Sequence, residues 1–377
     1  MRKIIALLLI ISSLLALASC GKNKYKPQES TKEEATTVMT VQIDGNKYDV
    51  RYELYRALFL NYKSTVDGGD PNVWTGDDKA SYVEKIDSMI LDRITEIYAT
   101  FAICERIGFN VYSKDVEKEI QENIRISVEG GSYGSAAIQG YDSYEDYLAA
   151  LKAANINYSV QVLLFRYAIA VDAIYTHYIG TVSSDDIDGN MSIGSIEYTK
   201  DDVKAFYDSE ECARVLRAGF QKYISYTPKE DAQKLRSKLV DAANSADTLE
   251  EKDNKVFLAI MSSGKFPNSS ELENGYVMGK YNLEKSYYEQ MTDAVFALSD
   301  GEVSECIDLV TDVEDAYYVI YRAQKSDAHF EENYESIKYV YLTNTVGEIL
   351  YTTANELRES VEYTDFLKNI NHSGLGM

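Results

Sequence analysis

The sequence predicts a multidomain protein in which mainly α-helical segments precede and follow a smaller α+β domain. Apolar residues recur every three or four positions over much of residues 50–178 and 330–358, which is typical of amphipathic helices. Between residues 213 and 325 the predicted elements follow the order β-α-β-α-β-β. A chain of 377 residues has room for one to three domains, and its 45% hydrophobic residues are enough to build their cores.

The first 19 residues have the features of an export signal. Arg2 and Lys3 precede an apolar run, Ile4–Ala18, which is shorter than the roughly 20 residues that a membrane-spanning helix needs. The run ends in Leu17-Ala-Ser-Cys20, which resembles the lipobox of bacterial lipoproteins. That resemblance implies that the signal is removed and that Cys20 is lipidated and anchors the protein to a membrane. An ordinary signal peptide that happens to contain a cysteine is the alternative.

Residues 20–37 are polar and lack periodicity, which predicts a flexible tether between the lipid and the folded body. Residues 38–212 predict a helical domain that opens with a hairpin, because apolar residues alternate over Met39–Ile43 up to the turn pair Asp44-Gly45. Helices are predicted over 50–64, 79–107, 114–126, 143–153, 159–178 and 199–207, with a loop over 130–140 and a linker over 180–195.

Residues 213–325 predict the α+β domain, and residues 326–377 predict a C-terminal helical segment. Within the α+β domain, strands are predicted over 215–226, 275–281, 306–310 and 316–323, and helices over 229–243 and 287–298. The stretch 247–270 is interpreted as polar chain with a short apolar centre. In the C-terminal segment, a helix is predicted over 330–358.

The formal net charge of −23 repels phosphate backbones and argues against nucleic-acid binding. Three cysteines follow the lipobox, namely Cys104, Cys212 and Cys306, and none of them lies in a CxxC motif. No disulfide is predicted. The chain has no Walker loop and no HExxH motif, so neither a cofactor nor a metal site is predicted.

Several phrases in residues 213–325 resemble the parvulin-type peptidyl-prolyl isomerase domain. Gly275-Tyr-Val-Met-Gly-Lys-Tyr281 is similar to that family's G-G-D-L-G-W-F. Met291–Leu298, followed by Gly301-Glu-Val-Ser304, is similar to F-E-D-A-A-F-A-L and G-E-V-S. Arg217-Ala-Gly-Phe220 and Ala316-Tyr-Tyr-Val-Ile320 stand where the family has R-A-S-H and G-Y-H-I-I. The order of strands and helices agrees with this resemblance.

The flanking helical segments also resemble a family. Val41–Tyr48, Arg106–Val116 and Thr199–Tyr207 are similar to parts of the SurA and PrsA foldases, whose N-terminal chaperone domain is trigger-factor-like. The resemblance implies that the C-terminal segment packs back onto the N-terminal helices. It covers nearly the whole chain that follows the signal.

The family's site implies two facing histidines beside an apolar pocket for the substrate proline. In this chain the two histidine positions hold Phe220 and Tyr318, so no catalytic residue is assigned. The pocket positions hold Met278, Tyr287 and Met291, which are apolar and adaptable and are predicted to contact peptide. Their role as core residues of a small domain is the alternative.

Together these features predict a lipid-anchored, extracytoplasmic, foldase-like chaperone that binds unfolded or nascent exported polypeptides. Its parvulin-like domain is expected to be catalytically degenerate. The first alternative is an active peptidyl-prolyl isomerase with an unusual site. The second is a structural or ligand-binding surface lipoprotein that uses the same fold. The sequence leaves the clients and the oligomeric state open.

Overall fold

The structure is a computed structural model of the chain. It describes residues 25–133, 136–180, 194–222, 228–266, 269–281, 285–310, 315–372 and 375. The predicted signal, Cys20 and most of the predicted linker over 180–195 therefore lie outside the described residues. The chain divides into two compact units: unit 1 is Met1–His177 with Leu350–Met377, and unit 2 is Tyr178–Ile349.

Helices dominate both units, and the strands form small sheets. The strands are β1 (Thr37–Ile43), β2 (Asn46–Arg51), β3 (Gly131–Tyr133), β4 (Ala136–Ile138), β5 (Cys212–Gln221), β6 (Tyr276–Gly279), β7 (Ile307–Val310), β8 (Asp315–Ala323) and β9 (Glu362–Tyr363). The helices are α1 (Tyr52–Asp67), α2 (Lys79–Arg106), α3 (Lys114–Glu129), α4 (Tyr144–Ala153), α5 (Tyr158–Tyr178), α6 (Lys200–Asp208), α7 (Lys229–Asn244), α8 (Leu249–Ser263), α9 (Ser269–Asn274), α10 (Lys285–Phe296), α11 (Asp327–Glu332), α12 (Tyr334–Glu359) and α13 (Asp365–Lys368). The predicted mainly helical, mixed fold class is confirmed.

Unit 1 begins with the predicted hairpin. β1 and β2 pair antiparallel, with Ile43 opposite Asn46. Asp44 and Gly45 both have positive φ, 53° and 79°, as a tight two-residue turn of this type requires. β9 pairs with the other edge of β1, so the sheet order is β2-β1-β9. The predicted turn is therefore confirmed.

The helices of unit 1 bury the stripes that their sequences predict. The predicted stripe of α2 begins at the half-buried Val83 and is then fully buried, with 0% exposure at Ile86, Ile90, Ile94, Ile97, Phe101 and Cys104. α3 and α4 begin close to their predicted starts, at 114 and 143. The hydroxyl oxygens of Ser113 and Ser143 cap them by accepting hydrogen bonds from backbone N–H groups three residues on. The predicted loop over 130–140 differs, because it contains the short β3–β4 hairpin.

One described helix, α5, is long and apolar enough to cross a membrane by length and composition. In its most apolar 18-residue segment, 50% is buried inside the protein. The core helix of a soluble protein can have the same length and composition. Its Phe165 and Ile169 pack in a cluster with residues of α3 and α4. The buried side chain of Arg166 forms an ion pair with Glu117 at 2.7 Å.

Residues 25–36, hereafter the N-terminal strap, correct the prediction of a tether over 20–37. Tyr25 is only 7% exposed and packs in the cluster formed by α3, α4 and α5. Ser30 donates a hydrogen bond to Glu53 and shares another with Ser159. The stretch looked like a tether because its polar residues follow no period, but one aromatic ring and one serine are enough to attach it to the body.

Unit 2 is built on one antiparallel sheet with the strand order β6-β5-β8-β7. One face, the α7/α8 face, packs against α7 and α8. The opposite face, the α10 face, packs against α10. The predicted strands and the helices α7 and α10 are present, with ends shifted by a few residues.

Helix α8 was not predicted, because residues 247–270 were interpreted as polar chain. Its start and stop signals are nevertheless in the sequence. Thr248 accepts a hydrogen bond from the N–H of Glu251, and Gly264 ends the helix with a φ of 64°. Its buried side is narrow, with only Val256 and Ile260 fully buried among its residues, so the periodic signal is weak.

The predicted helix over 330–358 is two helices, α11 and α12, separated at Asn333. The division between the units falls within α12, because unit 2 ends at Ile349 and unit 1 resumes at Leu350. The predicted domain boundaries, 38–212, 213–325 and 326–377, stay predictions.

Candidate functional site

The α10 face of unit 2 carries the predicted site, and strand pairing decides which residues reach it. β5 and β8 pair antiparallel with Gly219 opposite Tyr318 and Phe220 opposite Tyr317. Side chains alternate between the two faces of a sheet. Ala213 and Val215 of β5 pack on the α10 face, so Arg217 and Gly219 also lie on that face.

Phe220 and Tyr318 do not face one another. Phe220 is 4% exposed and packs on the α7/α8 face, whereas Tyr318 packs on the α10 face. A one-residue offset in a strand moves a side chain to the other side of the sheet. The expectation that these two positions form one site is therefore not met, and Gly219 is the residue opposite Tyr318.

The ring of Tyr318 lies directly over Gly219. A Cβ atom added to Gly219 would lie 2.9 Å from Cε1 of Tyr318 and 3.2 Å from its Cζ. Real Cβ atoms do not make contacts of 2.9 Å. The absence of a side chain at Gly219 is thus what admits the tyrosine ring to this part of the face.

The predicted pocket residues Met278 and Met291 lie beside Tyr318 in one apolar cluster. Their side chains are 5% and 1% exposed, so both are core residues of this face. Tyr287 belongs to α10, but its side chain lies outside those that the structure describes. The structure thus brings two of the predicted peptide contacts, Met278 and Met291, together with Tyr318, which stands at one of the two histidine positions.

Arg217 was missed in the assignment of site residues. Its guanidinium carbon lies 4.6 Å from the ring centroid of Tyr276 and 5.7 Å from that of Tyr318. Its Nη1 donates to Sδ of Met291 at 4.0 Å. Cations are attracted to the faces of aromatic rings, so this arginine holds the two tyrosines and the methionine together. Counting alternate residues back from Gly219 would have indicated it.

Residues 178–349 contain one histidine, His329, and it lies in α11 rather than on the sheet. Its Nδ1 is 2.9 Å from the hydroxyl of Tyr207, and its Nε2 is 2.5 Å from the carbonyl oxygen of Asn274. Burial, with a smaller contribution from the charge of Arg214, lowers the pKa of His329 to about 4. The imidazole is therefore neutral at pH 7 and holds α6, α9 and α11 together.

The cysteines of unit 2 have no features of a nucleophile. Burial raises the pKa of the Cys212 thiol to about 12, and it also raises the pKa of Cys306. Both are protonated at neutral pH, and a thiol reacts as its thiolate. Cys104, Cys212 and Cys306 are all free in the structure.

Unit 1 contains an open pocket of about 460 Å³ at the end of α2. Burial raises the pKa of both Glu119 and Asp172 in its wall, and the charge of Asp172 raises that of Glu119 further. Among the residues that the structure describes, no three His, Cys, Asp or Glu side chains group closely enough to hold a metal ion. The pocket is lined by Ile107, Gly108, Phe109, Glu119, Ile169, Asp172, Ala173, Thr176 and His177.

These features define a mainly helical protein of two units, one of which carries a four-stranded antiparallel sheet with a filled apolar face. No family model matches the chain, and no curated protein matches it. Three of the solved structures to which it is similar are crystal structures of the foldase protein PrsA.

The PrsA structure from Streptococcus pneumoniae is 15% identical with a TM-score of 0.25, and the match covers 85% of this chain and 92% of that chain. The one from Lactococcus lactis is 14% identical with a TM-score of 0.22, covering 91% and 100%. The one from Bacillus subtilis is 12% identical with a TM-score of 0.22, covering 74% and 87%. Because all three TM-scores are low, no residue role is carried over from these proteins.

Proposed function

We propose that the protein is a lipid-anchored, extracytoplasmic, foldase-like chaperone that binds unfolded exported polypeptides. Its parvulin-like part, 213–325, is in this proposal a binding or spacer module rather than an efficient isomerase. The lipobox at Cys20 supports the anchor, and the phrases shared with the parvulin and foldase families support the class of protein.

The observation that carries the proposal is the set of large apolar side chains that remain exposed. Tyrosine is the commonest of them, and a tyrosine ring offers flat apolar area with a polar tip, which suits varied unfolded chains. The net charge of −23 would keep a loaded complex soluble. The side chains, exposed by 36% to 57%, are Tyr112, Tyr198, Leu258, Met261, Tyr339, Tyr351, Tyr363 and Phe366.

The α10 face supports the proposal that 213–325 is not an efficient isomerase. Prolyl isomerisation must lower a barrier of about 18–20 kcal/mol, and a polar network around the twisting amide contributes to this. Here Met278, Met291 and Tyr318 fill the face with apolar groups, and His329 lies elsewhere. Arg217 is a polar group on the face, and it is already engaged with Tyr276 and Met291.

Two sets of serine substitutions in the full chain test where clients bind. One set, in unit 1, is Tyr112→Ser, Tyr363→Ser and Phe366→Ser, and the matched set in unit 2 is Tyr339→Ser, Leu258→Ser and Met261→Ser. Light scattering of an aggregating unfolded protein measures client protection. We expect the unit 1 set to lose most of the protection and the unit 2 set to keep it.

The opposite pattern would make the sheet-containing unit the main binding site. A wild-type chain that protects no client would favour the alternative of a structural or ligand-binding surface lipoprotein. Circular dichroism of both sets is the control, because a loss of protection counts only if the helices remain folded.

A further inference from the structure

The N-terminal strap is attached to unit 1 at two places. At its start, the hydroxyl of Tyr25 donates to Glu129 at 2.6 Å, and its ring lies 5.1 Å from that of Tyr144. The hydroxyl of Tyr144 in turn donates to the backbone carbonyl of Lys26 at 2.7 Å. The start of the strap is thus fixed where α3 ends and α4 begins.

The second attachment lies at the beginnings of α1 and α5. Glu53 is 7% exposed and accepts hydrogen bonds from Ser30 at 2.5 Å and from Asn157 at 2.7 Å. Ser30 also lies 2.8 Å from the hydroxyl of Ser159. Charge-assisted hydrogen bonds to a buried carboxylate are among the stronger polar contacts in proteins. They hold the strap in place before β1 begins.

These contacts shorten the reach of the chain behind Cys20. Without them, Cys20 and the start of β1 at Thr37 could be about 60 Å apart, since an extended chain spans at most about 3.6 Å per residue. With Tyr25 packed in the core, only the five residue steps from Cys20 to Tyr25 set the reach, and their maximum span is about 18 Å. That limit holds for any conformation of the intervening residues.

The charge around this stretch differs from that of the rest of the chain. Lys22, Lys24 and Lys26 lie between Cys20 and Glu29 with no acidic residue among them, in a chain of net charge −23. Lys26 is exposed. Lysines immediately beside a lipid anchor are attracted to anionic lipid headgroups, whereas the same headgroups repel the acidic remainder of the protein.

We infer that the N-terminal strap is a membrane-positioning element: it holds Tyr25 within about 18 Å of the lipidated Cys20 and so keeps the edge of unit 1 formed by Tyr25, Glu129 and Tyr144 facing an anionic bilayer. The inference rests on the proposed lipid at Cys20. The folded body is then not loosely tethered. The packing of Tyr25 sets its point of attachment and therefore which edge faces the membrane.

Energy transfer to the membrane tests this distance. The lipidated protein is placed in vesicles of phosphatidylcholine and phosphatidylglycerol that carry a headgroup-bound acceptor dye. The donor is attached at Glu145→Cys, an exposed position next to Tyr144, in a Cys306→Ser background. An insertion of about 12 Gly and Ser residues after Gly21 adds about 20 Å of mean reach and leaves the strap intact.

We expect strong transfer in the parent protein and a clear loss on insertion. Tyr25→Ala should also lower the transfer, because the free chain then extends to Ser30 or beyond, whereas Tyr25→Phe should keep most of it. Transfer that is insensitive to the insertion would overturn the membrane role.

Hydrogen exchange and mass spectrometry separate the possible failures. The strap predicts slow amide exchange in the parent protein at Thr31, Glu34, Ala35 and Thr36, whose N–H groups are hydrogen-bonded within the strap, and faster exchange there in Tyr25→Ala. Exchange at unfolded rates in the parent protein would overturn the strap itself. An unlipidated Cys20 would overturn both the proposed anchor and the membrane role, and it would leave the exchange pattern unchanged.

Discussion

The ring of Tyr318 on β8 covers Gly219 on β5, so that a single added carbon at Gly219 would meet the ring at 2.9 Å. The tyrosine is 5% exposed and packs against Met278 and Met291, so it has little room to move aside. This pair fills the centre of the face on which the parvulin resemblance places the substrate proline.

Gly219→Ala should destabilise unit 2 by about 1–3 kcal/mol, because overpacking a closed core forces its neighbours out of position. Hydrogen exchange of β5 and β8 measures this loss of stability. Tryptophan fluorescence would not report on unit 2, because the only tryptophan, Trp74, lies in unit 1. In a Tyr318→Ala background the same substitution should cost much less. Equal costs in the two backgrounds would contradict the contact.

Phe220→His should not create isomerase activity, alone or with Tyr318→His, because the two side chains lie on opposite faces of the sheet. It should lower the free energy of unfolding by about 1–3 kcal/mol, since it buries a polar ring among apolar side chains. NMR exchange spectroscopy on Xaa-Pro peptides measures the rate. Wild-type catalysis as efficient as that of ordinary parvulins would show that the α10 face is not degenerate.

The end of β6 is attached to α12 by Asn344 and Gly347. The buried side chain of Asn344 accepts a hydrogen bond from the N–H of Tyr281 at 2.8 Å, and a Cβ atom on Gly347 would overlap the carbonyl oxygen of Tyr281. Asn344→Ala should cost about 1–3 kcal/mol, because the Tyr281 N–H loses its partner.

Gly347→Ala should destabilise the protein at least as much as Asn344→Ala does, although alanine has a higher helix propensity than glycine. Thermal unfolding and limited proteolysis of both variants measure the effect. An exposed alanine substitution on the same helix, Glu348→Ala, is the control and should be nearly neutral. If Gly347→Ala stabilises the protein, the close approach of Tyr281 is wrong.

Unit 2 should lose stability as the pH falls from about 6.5 towards 4. The folded chain lowers the pKa of His329 from its ordinary 6.5 to about 4, mainly through burial. In that window the unfolded chain binds the proton and the folded chain does not, so acidification favours unfolding. Amide exchange of α11 at pH 7 and pH 4.5 measures this. The His329→Gln variant should be less stable than the parent protein at pH 7, but its stability should change less between pH 7 and pH 4.5.

Cys20→Ser should release the protein from membranes or leave the signal uncleaved, because the serine cannot be lipidated through a thioether. Fractionation of cells and mass spectrometry of the mature N-terminus measure the outcome. Cys306→Ser is the matched control and should remain membrane-bound. A mature chain that begins at another residue without lipid would contradict the anchor.

The sequence by itself determined those elements whose signals are local. The turn at Asp44-Gly45, the buried stripe of α2 and the short helix that begins after Thr199 depend on residues within a few positions of one another, and the structure contains all of them. The order of strands and helices in unit 2 could be predicted for the same reason. Helix α8 was missed although its capping signals were present, because its apolar side is only two fully buried residues wide.

Only the tertiary structure decided which residues meet. Phe220 and Tyr318 both stood at positions that the parvulin resemblance singled out, but the pairing of β5 with β8 placed Gly219 and Arg217 on the face of Tyr318 instead. Likewise, nothing local to residues 25–36 shows that Tyr25 packs against α4, more than a hundred residues away. Strand register and long-range packing depend on contacts between segments that are distant in sequence, and a change of one residue in register reverses every side chain in a strand.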